Sequence, residues 1–118
     1  MRIYQNFCHE TLDENGALTD IQLHYPDNFN FGYDVVDAVA RETPDKRALV
    51  WCSTEYAARS FSFGDISRLS TQAANVFLQA GIRRGDKVIV ALKHHYEYWV
   101  VSVALHKLGA ILIPVTHM

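Results

Sequence analysis

Histidines and cysteines carry most of the reactive chemistry in this 118-residue sequence, and two of the histidines are adjacent. His94 and His95 lie in GDKVIVALKHHYEYW, residues 85–99, where an apolar run gives way to a short polar loop and then to an aromatic-rich segment. Imidazole can bind a metal, carry a proton or contact an anion. Two-histidine metal sites favour spacings such as i and i+4 on a helix, which aim both rings at one ion. Adjacent loop residues point in different directions, and no Cys, Asp or Glu stands at a partner spacing. What the pair retains is position, since it follows the carboxyl end of an expected strand, the edge at which open α/β sheets bind ligands. His117 follows the last expected strand and could approach a ligand in a longer chain. His94, His95 and His117 are therefore the ligand-edge candidates; no catalytic, cofactor-binding or metal residue is assigned. His106 falls within an apolar helical pattern and reads as a satisfied core or boundary histidine.

Other chemistry finds less support. A dinucleotide fingerprint needs G-x-G-x-x-G between strand and helix, so that backbone can approach a pyrophosphate at the helix N-terminus. The loop here is Lys93-His94-His95, and neither that pattern nor G-x-x-x-x-G-K-[ST] occurs elsewhere. The parts of a nucleophilic triad exist, but no G-x-S-x-G elbow does. Cys52, at a strand end with Glu55 nearby, reads as a buried structural thiol. Asp86 reads as a turn former, and Trp51, Tyr98 and Trp99 as core aromatics. Cys8 and Cys52 are widely separated and read as free thiols of a reducing cytosol.

The elements that must position these residues follow from periodicity. Residues 1–28 contain Asn15-Gly16 and few periodic apolar positions, and read as an irregular arm anchored by Phe29 and Phe31. Val35, Val36, Val39 and Ala40 mark one face of a helix from Tyr33 to about Thr43, stopped by Pro44. RALVWC (47–52) and RSFSF (59–63) are expected strands of a hairpin. Gly64 to Ala80 is the clearest helix, capped by Ser62 or Asp65 and ended by Gly81. Lys87 to Leu92 is a strand, Tyr96 to Leu108 a helix apolar almost all round, and AILIPV a second strand. That spacing allows a parallel βαβ crossover. The expected fold class is α/β, with Rossmann-like βαβ units in a mixed, mainly parallel sheet flanked by helices. Strands lacking polar alternation imply a sheet covered on both faces. No helix follows PVTHM, which points to an incomplete domain with exposed sheet surface available for self-association.

Composition sets the outer limits. The chain has the size of one domain and can bury roughly 65% of its unfolded surface. Its 49% hydrophobic and 20% charged residues are those of a globular protein. Eleven Lys and Arg against thirteen Asp and Glu give a net charge of −2, which argues against a nucleic-acid partner. The most apolar stretch, Tyr98 to Val115, is broken by His106, Lys107, Gly109 and Pro114 and makes a poor membrane span. The N-terminus lacks an apolar core of signal-peptide length, and the localisation expected is cytoplasmic.

The order of pieces is more specific than any single motif. A helix ending in ARETPDKRALVW, then FSFGDISRLSTQAANVFLQAGIRRGDKVIVAL, then YEYWVVSVALHKLGAILIPV, resembles the N-terminal subdomain of the adenylate-forming (AMP-binding) superfamily. The acetyl- and medium-chain acyl-CoA synthetase branch is the most similar. The resemblance covers residues 29–118, the N-terminal α/β part of a truncated large domain. It implies a parent ligase that joins ATP and a carboxylic acid into an acyl-adenylate with Mg²⁺, then transfers the acyl group to the thiol of CoA. In that family the phosphate loop with its Lys, the Thr-Glu magnesium motif, the ribose-binding Asp and the C-terminal catalytic Lys lie downstream of the matched region. None has a counterpart here, so no catalytic residue is carried over; this segment alone is expected to bind none of these cofactors and to be inactive. The alternative of a different class is a self-contained, non-catalytic α/β binding or interaction domain.

Overall fold

The computed structural model describes residues 3–55 and 57–116; His117 lies outside them. Strands β1 (Cys8–Leu12) and β2 (Leu18–Leu23) pair antiparallel, with Cys8 opposite Leu23 and Glu10 opposite Ile21. Asp13 Oδ1 accepts from the amides of Asn15 and Ala17, both at 2.8 Å, and Gly16 adopts φ 79°. The expected turn is present, but it closes a hairpin where an irregular arm was expected. Apart from half-buried Cys8, every residue of both strands is exposed, so burial imposes no apolar alternation on the pattern. Phe29 packs edge-on against Phe7 at 4.9 Å within this arm, whereas Phe31 meets the ring of His106 at 5.7 Å.

Asn30 joins the arm to the body. Its Oδ1 accepts from Gly32 N at 2.9 Å, and its Nδ2 donates to the carbonyl of His106 at 2.8 Å. The helical segment it caps runs with π geometry from Phe31 to Asp37 and continues as α1 (Ala38–Glu42). Gly32 packs so tightly that an added Cβ would meet Lys107 Cγ at 2.6 Å and the Val103 carbonyl oxygen at 3.3 Å.

β3 (Arg47–Cys52) and β4 (Ala58–Ser62) form the expected antiparallel hairpin. Ser62 then starts α2 (Phe63–Gln79) with a reciprocal capping box: its Oγ accepts from Asp65 N, and Asp65 Oδ2 accepts from Ser62 N, both at 3.1 Å. The turn before the next strand is tied by Asp86, whose Oδ2 accepts from Arg83 N at 2.7 Å. β5 (Lys87–Val90), α3 (Glu97–Leu108) and β6 (Ile111–Pro114) complete the βαβ unit, with β5 and β6 parallel and in register from Lys87–Ile111 to Val90–Pro114. Gly109 ends α3 at φ 68°, the left-handed conformation that costs glycine least.

The expected α/β architecture is thus present: the described residues form three two-stranded ladders, with α2 packed against β3–β4 and α3 against β6. Among the described residues the parallel pairing is that of β5 and β6. Helix α3 is apolar almost all round because it serves two clusters. Val103 joins Val36, Phe61 and Ile66; Leu105, fully buried, joins Val90 and Ala110. The β5–β6 ladder, however, is covered on one face. Val88, Val90 and Leu112 face the second cluster, while Ile89, Ile111 and Ile113 on the other face are 69%, 47% and 37% exposed. No helix among the described residues is long and apolar enough to cross a membrane.

Candidate functional site

Parallel pairing brings the carboxyl ends of β5 and β6 to one edge of the ladder. The end of β3 and the first turn of α3 meet them there. Between these elements lies a cavity of about 710 Å³, within the size range of small-molecule sites. Trp51 and Cys52 reach it from β3, Lys93, His94 and His95 from the β5–α3 loop, and Tyr98 and Trp99 from α3. Pro114, Val115 and Thr116 close the side beyond β6.

Both described histidine candidates therefore line one cavity at the expected edge. His94 holds a left-handed backbone at φ 48°, uncommon for a residue with a Cβ. Its carbonyl accepts a 2.6 Å hydrogen bond from Trp51 Nε1, which ties the loop to β3 across 43 residues. His95 Nδ1 lies 3.9 Å from Glu97 Oε2, an ion pair when the imidazole is protonated. Among the described residues three basic side chains line the cavity and no Asp or Glu does. Among the described residues no cluster of three or more His, Cys, Asp or Glu could hold a metal ion.

Several side chains sit elsewhere than their types suggested. Trp99 is 54% exposed, and with Trp51 it walls the cavity instead of filling the core, whereas Tyr98 both lines the cavity and packs against the second core cluster, as expected. Cys52 is exposed, not buried, and like Cys8 it is free. His106 is a boundary residue, but it is not satisfied. Its Nδ1 is buried and has no hydrogen-bond partner among the described residues, and burial pulls its pKa below the ordinary histidine value. It does not line the cavity.

The charge that sequence reading overlooked is Lys107, whose side chain is 1% exposed. Its Nζ lies 2.8 Å from Asp37 Oδ1, and it donates to Thr71 Oγ1 at 2.9 Å and to the Ser67 carbonyl at 3.2 Å. The ring of Tyr33 lies 5.6 Å away. Lys107 thereby pins α3 to α2 and to the Phe31–Asp37 turn. None of these partners lines the cavity, so the cluster holds the frame behind the site.

Residues 36–118 match the family model for AMP-binding enzymes. The chain belongs to that family. It is 35% identical over 112 residues to the mitochondrial acyl-coenzyme A synthetase ACSM4 of Rattus norvegicus, a match covering 90% of this chain and 19% of the relative. Human mitochondrial ACSM3 is 34% identical over 103 residues, covering 82% of this chain and 18% of its own. The fatty acid AMP ligase of Legionella pneumophila superposes with a TM-score of 0.68 at 16% identity, over 72% of this chain and 15% of that one. The N-terminal subdomain of Klebsiella oxytoca NpsA superposes at 0.63 with 24% identity, over 70% and 20%. These two likenesses show an AMP-binding fold. The resemblance to the superfamily and to its acyl-CoA synthetase branch is borne out, and this chain spans about a fifth of the length of the curated relatives it matches.

Proposed function

We propose that this chain is the N-terminal part of an AMP-forming acid–thiol ligase, an acyl-CoA synthetase that activates a carboxylic acid for fatty acid metabolism. The observation that carries the reading is its 35% identity to an acyl-CoA synthetase across 90% of its length, with the β5–α3–β6 unit intact. The whole enzyme would use ATP, Mg²⁺ and CoA. ATP makes the carboxylate oxygen a leaving group as AMP, and the CoA thiolate then takes the acyl group. Two free cysteines fit a reducing compartment, and the cytosol is our assignment; the mitochondrial names belong to the relatives.

The described residues do not fit a triphosphate–magnesium site. The loop between β5 and α3 runs from Ala91 to Tyr96 with no glycine to admit a phosphate, and no carboxylate among the described residues lines the cavity to hold the metal. We therefore assign the chain a supporting role: it builds the sheet edge, with His94 and His95 upon it, and supplies no catalytic group. We also read the bare Ile89–Ile111–Ile113 face as a surface for self-association of the isolated chain.

The test is a chimera in which these residues replace the matching segment of rat ACSM4. The reading expects carboxylate-dependent ATP–pyrophosphate exchange from the chimera and none from the 118-residue chain alone. A folded but inactive chimera contradicts it.

A further inference from the structure

We propose that the apolar face of the β1–β2 hairpin is a docking surface for a basic amphipathic helix of a partner protein. This surface lies apart from the cavity at the ends of β3, β5 and β6, and outside the residues 36–118 that match the family model. Its occupation does not depend on the synthetase reading.

Register makes the face. Directly opposed residues share one face of a ladder, and so do alternate residues of a strand. The pairs Cys8–Leu23, Glu10–Ile21 and Leu12–Leu18 therefore point one way, and His9–Gln22 and Thr11–Asp20 the other. The register shift between Thr11 and Leu12 keeps Leu18 with the apolar set. Without it Thr19 would stand opposite Leu12, and Leu18 would turn to the polar face. Thr19 Oγ1 fixes the shift by donating to the Thr11 carbonyl at 2.9 Å. The result stays open to solvent: Leu12, Leu18, Ile21 and Leu23 are all exposed, Leu23 by 68%. An uncovered two-stranded hairpin is marginal in water, so a covering element would add directly to its stability.

Charge selects the occupant. Between Ile3 and Ala40 there is no Lys or Arg, while Glu10 stands within the apolar face and Asp13, Glu14 and Asp20 lie in the turn and strand beside it. Arg2, outside the described residues, is the one Lys or Arg before Arg41. Tyr4 Oη donates to Glu10 Oε2 at 3.2 Å, and among the described residues none of these four carboxylates takes part in an ion pair. A second hairpin of the same kind would bring like charges together, and a nucleic acid or an anionic membrane would be repelled. A helix with a leucine face flanked by Lys or Arg answers both the apolar surface and its charge. β2, six residues long, spans about 20 Å, the length of roughly 14 helical residues.

The probe is a fluorescein-labelled peptide of about 14 residues, Leu and Lys set at helical spacing, read by fluorescence anisotropy. The 118-residue chain should bind it saturably, and at least about tenfold more tightly than a Leu–Glu peptide of the same pattern. Ile21→Thr with Leu23→Thr keeps strand-forming residues and should weaken binding roughly tenfold. Glu10→Gln with Glu14→Gln, the second variant, should weaken it roughly threefold and flatten its salt dependence. Ile89→Lys, on the bare face of β5–β6, should leave affinity within about twofold. Circular dichroism checks the folding of each variant. Absence of saturable binding overturns the proposal, as does equal binding of the Leu–Glu peptide, or affinity unchanged in both hairpin variants. Loss of binding in Ile89→Lys alone would place the peptide on the other face and also overturn it. If the threonine pair instead abolishes self-association in sedimentation, the occupant is a second copy and the proposal falls. Binding by the short chain but not by a folded ACSM4 chimera would mean that the rest of the parent covers the face, which overturns it as well.

Discussion

Trp51 Nε1 donates to the carbonyl of His94 at 2.6 Å, joining the end of one antiparallel strand to a left-handed residue in the β5–α3 loop. The bond sets both an aromatic wall and the basic loop of the cavity. Trp51→Phe keeps most of the ring and removes the donor. The expected cost is about 1 kcal/mol, measured by urea denaturation followed by circular dichroism. Unchanged stability would mean that the loop holds its conformation without the indole.

Lys107 and Asp37 make a stronger prediction, because the cation is almost wholly buried. Removing one member of a buried pair leaves the other uncompensated, which typically costs about 3–5 kcal/mol. Lys107→Met should fall in that range. Among the described residues no other hydrogen-bond donor reaches Asp37 Oδ1, so adding Asp37→Leu should recover part of the loss. A double variant no more stable than Lys107→Met would show that the lysine acts through Thr71 and Ser67 instead.

Acid should destabilise the fold in two stages. Burial lowers the pKa of His106, so the folded state resists its protonation. That contribution is intact above the ordinary histidine value of about 6.5 and is lost as pH falls below it toward the folded value. Asp65 is also lowered, chiefly by its backbone and side-chain hydrogen bonds with Ser62. Its contribution is present above the ordinary Asp value of about 3.9 and disappears as pH falls further. In His106→Gln the loss of stability as pH falls below about 6.5 should flatten, while the step below about pH 4 stays. Equal slopes in the two proteins would contradict the assignment.

How much of this was legible in the sequence depended on how local the cause was. Ser62 and Asp65 announce the start of α2 because a capping box is written within four residues. The turn residues Asn15-Gly16, Asp86 and Gly109 were readable for the same reason. The β1–β2 hairpin was missed because two exposed strands carry no buried alternation. Lys107 was passed over because its burial depends on Asp37, Ser67 and Thr71, which lie 36 to 70 positions away in sequence. The histidine pair was placed at the right edge by strand order alone. Trp51 reads as a core aromatic by residue type, yet its position near a strand end is the signal in the sequence that it lines the rim.

The apolar runs of β5 and β6 imply cover on both faces, and only one face has it. Ile89, Ile111 and Ile113 form the bare side. The isolated chain should therefore associate with itself, and a concentration-dependent sedimentation coefficient would show it. Ile89→Lys, at the most exposed of the three, should shift the population toward monomer. A wild-type chain that stays monomeric at high concentration contradicts self-association through this face.

The central proposal is that this chain works as the first part of a carboxylate-activating ligase, with the chemistry supplied by the rest of the enzyme. The most direct measurement is carboxylate-dependent ATP–pyrophosphate exchange by the ACSM4 chimera carrying these residues, beside the 118-residue chain alone. The account predicts exchange in the chimera and none in the short chain. Exchange by the short chain, or none from a folded chimera, would contradict it.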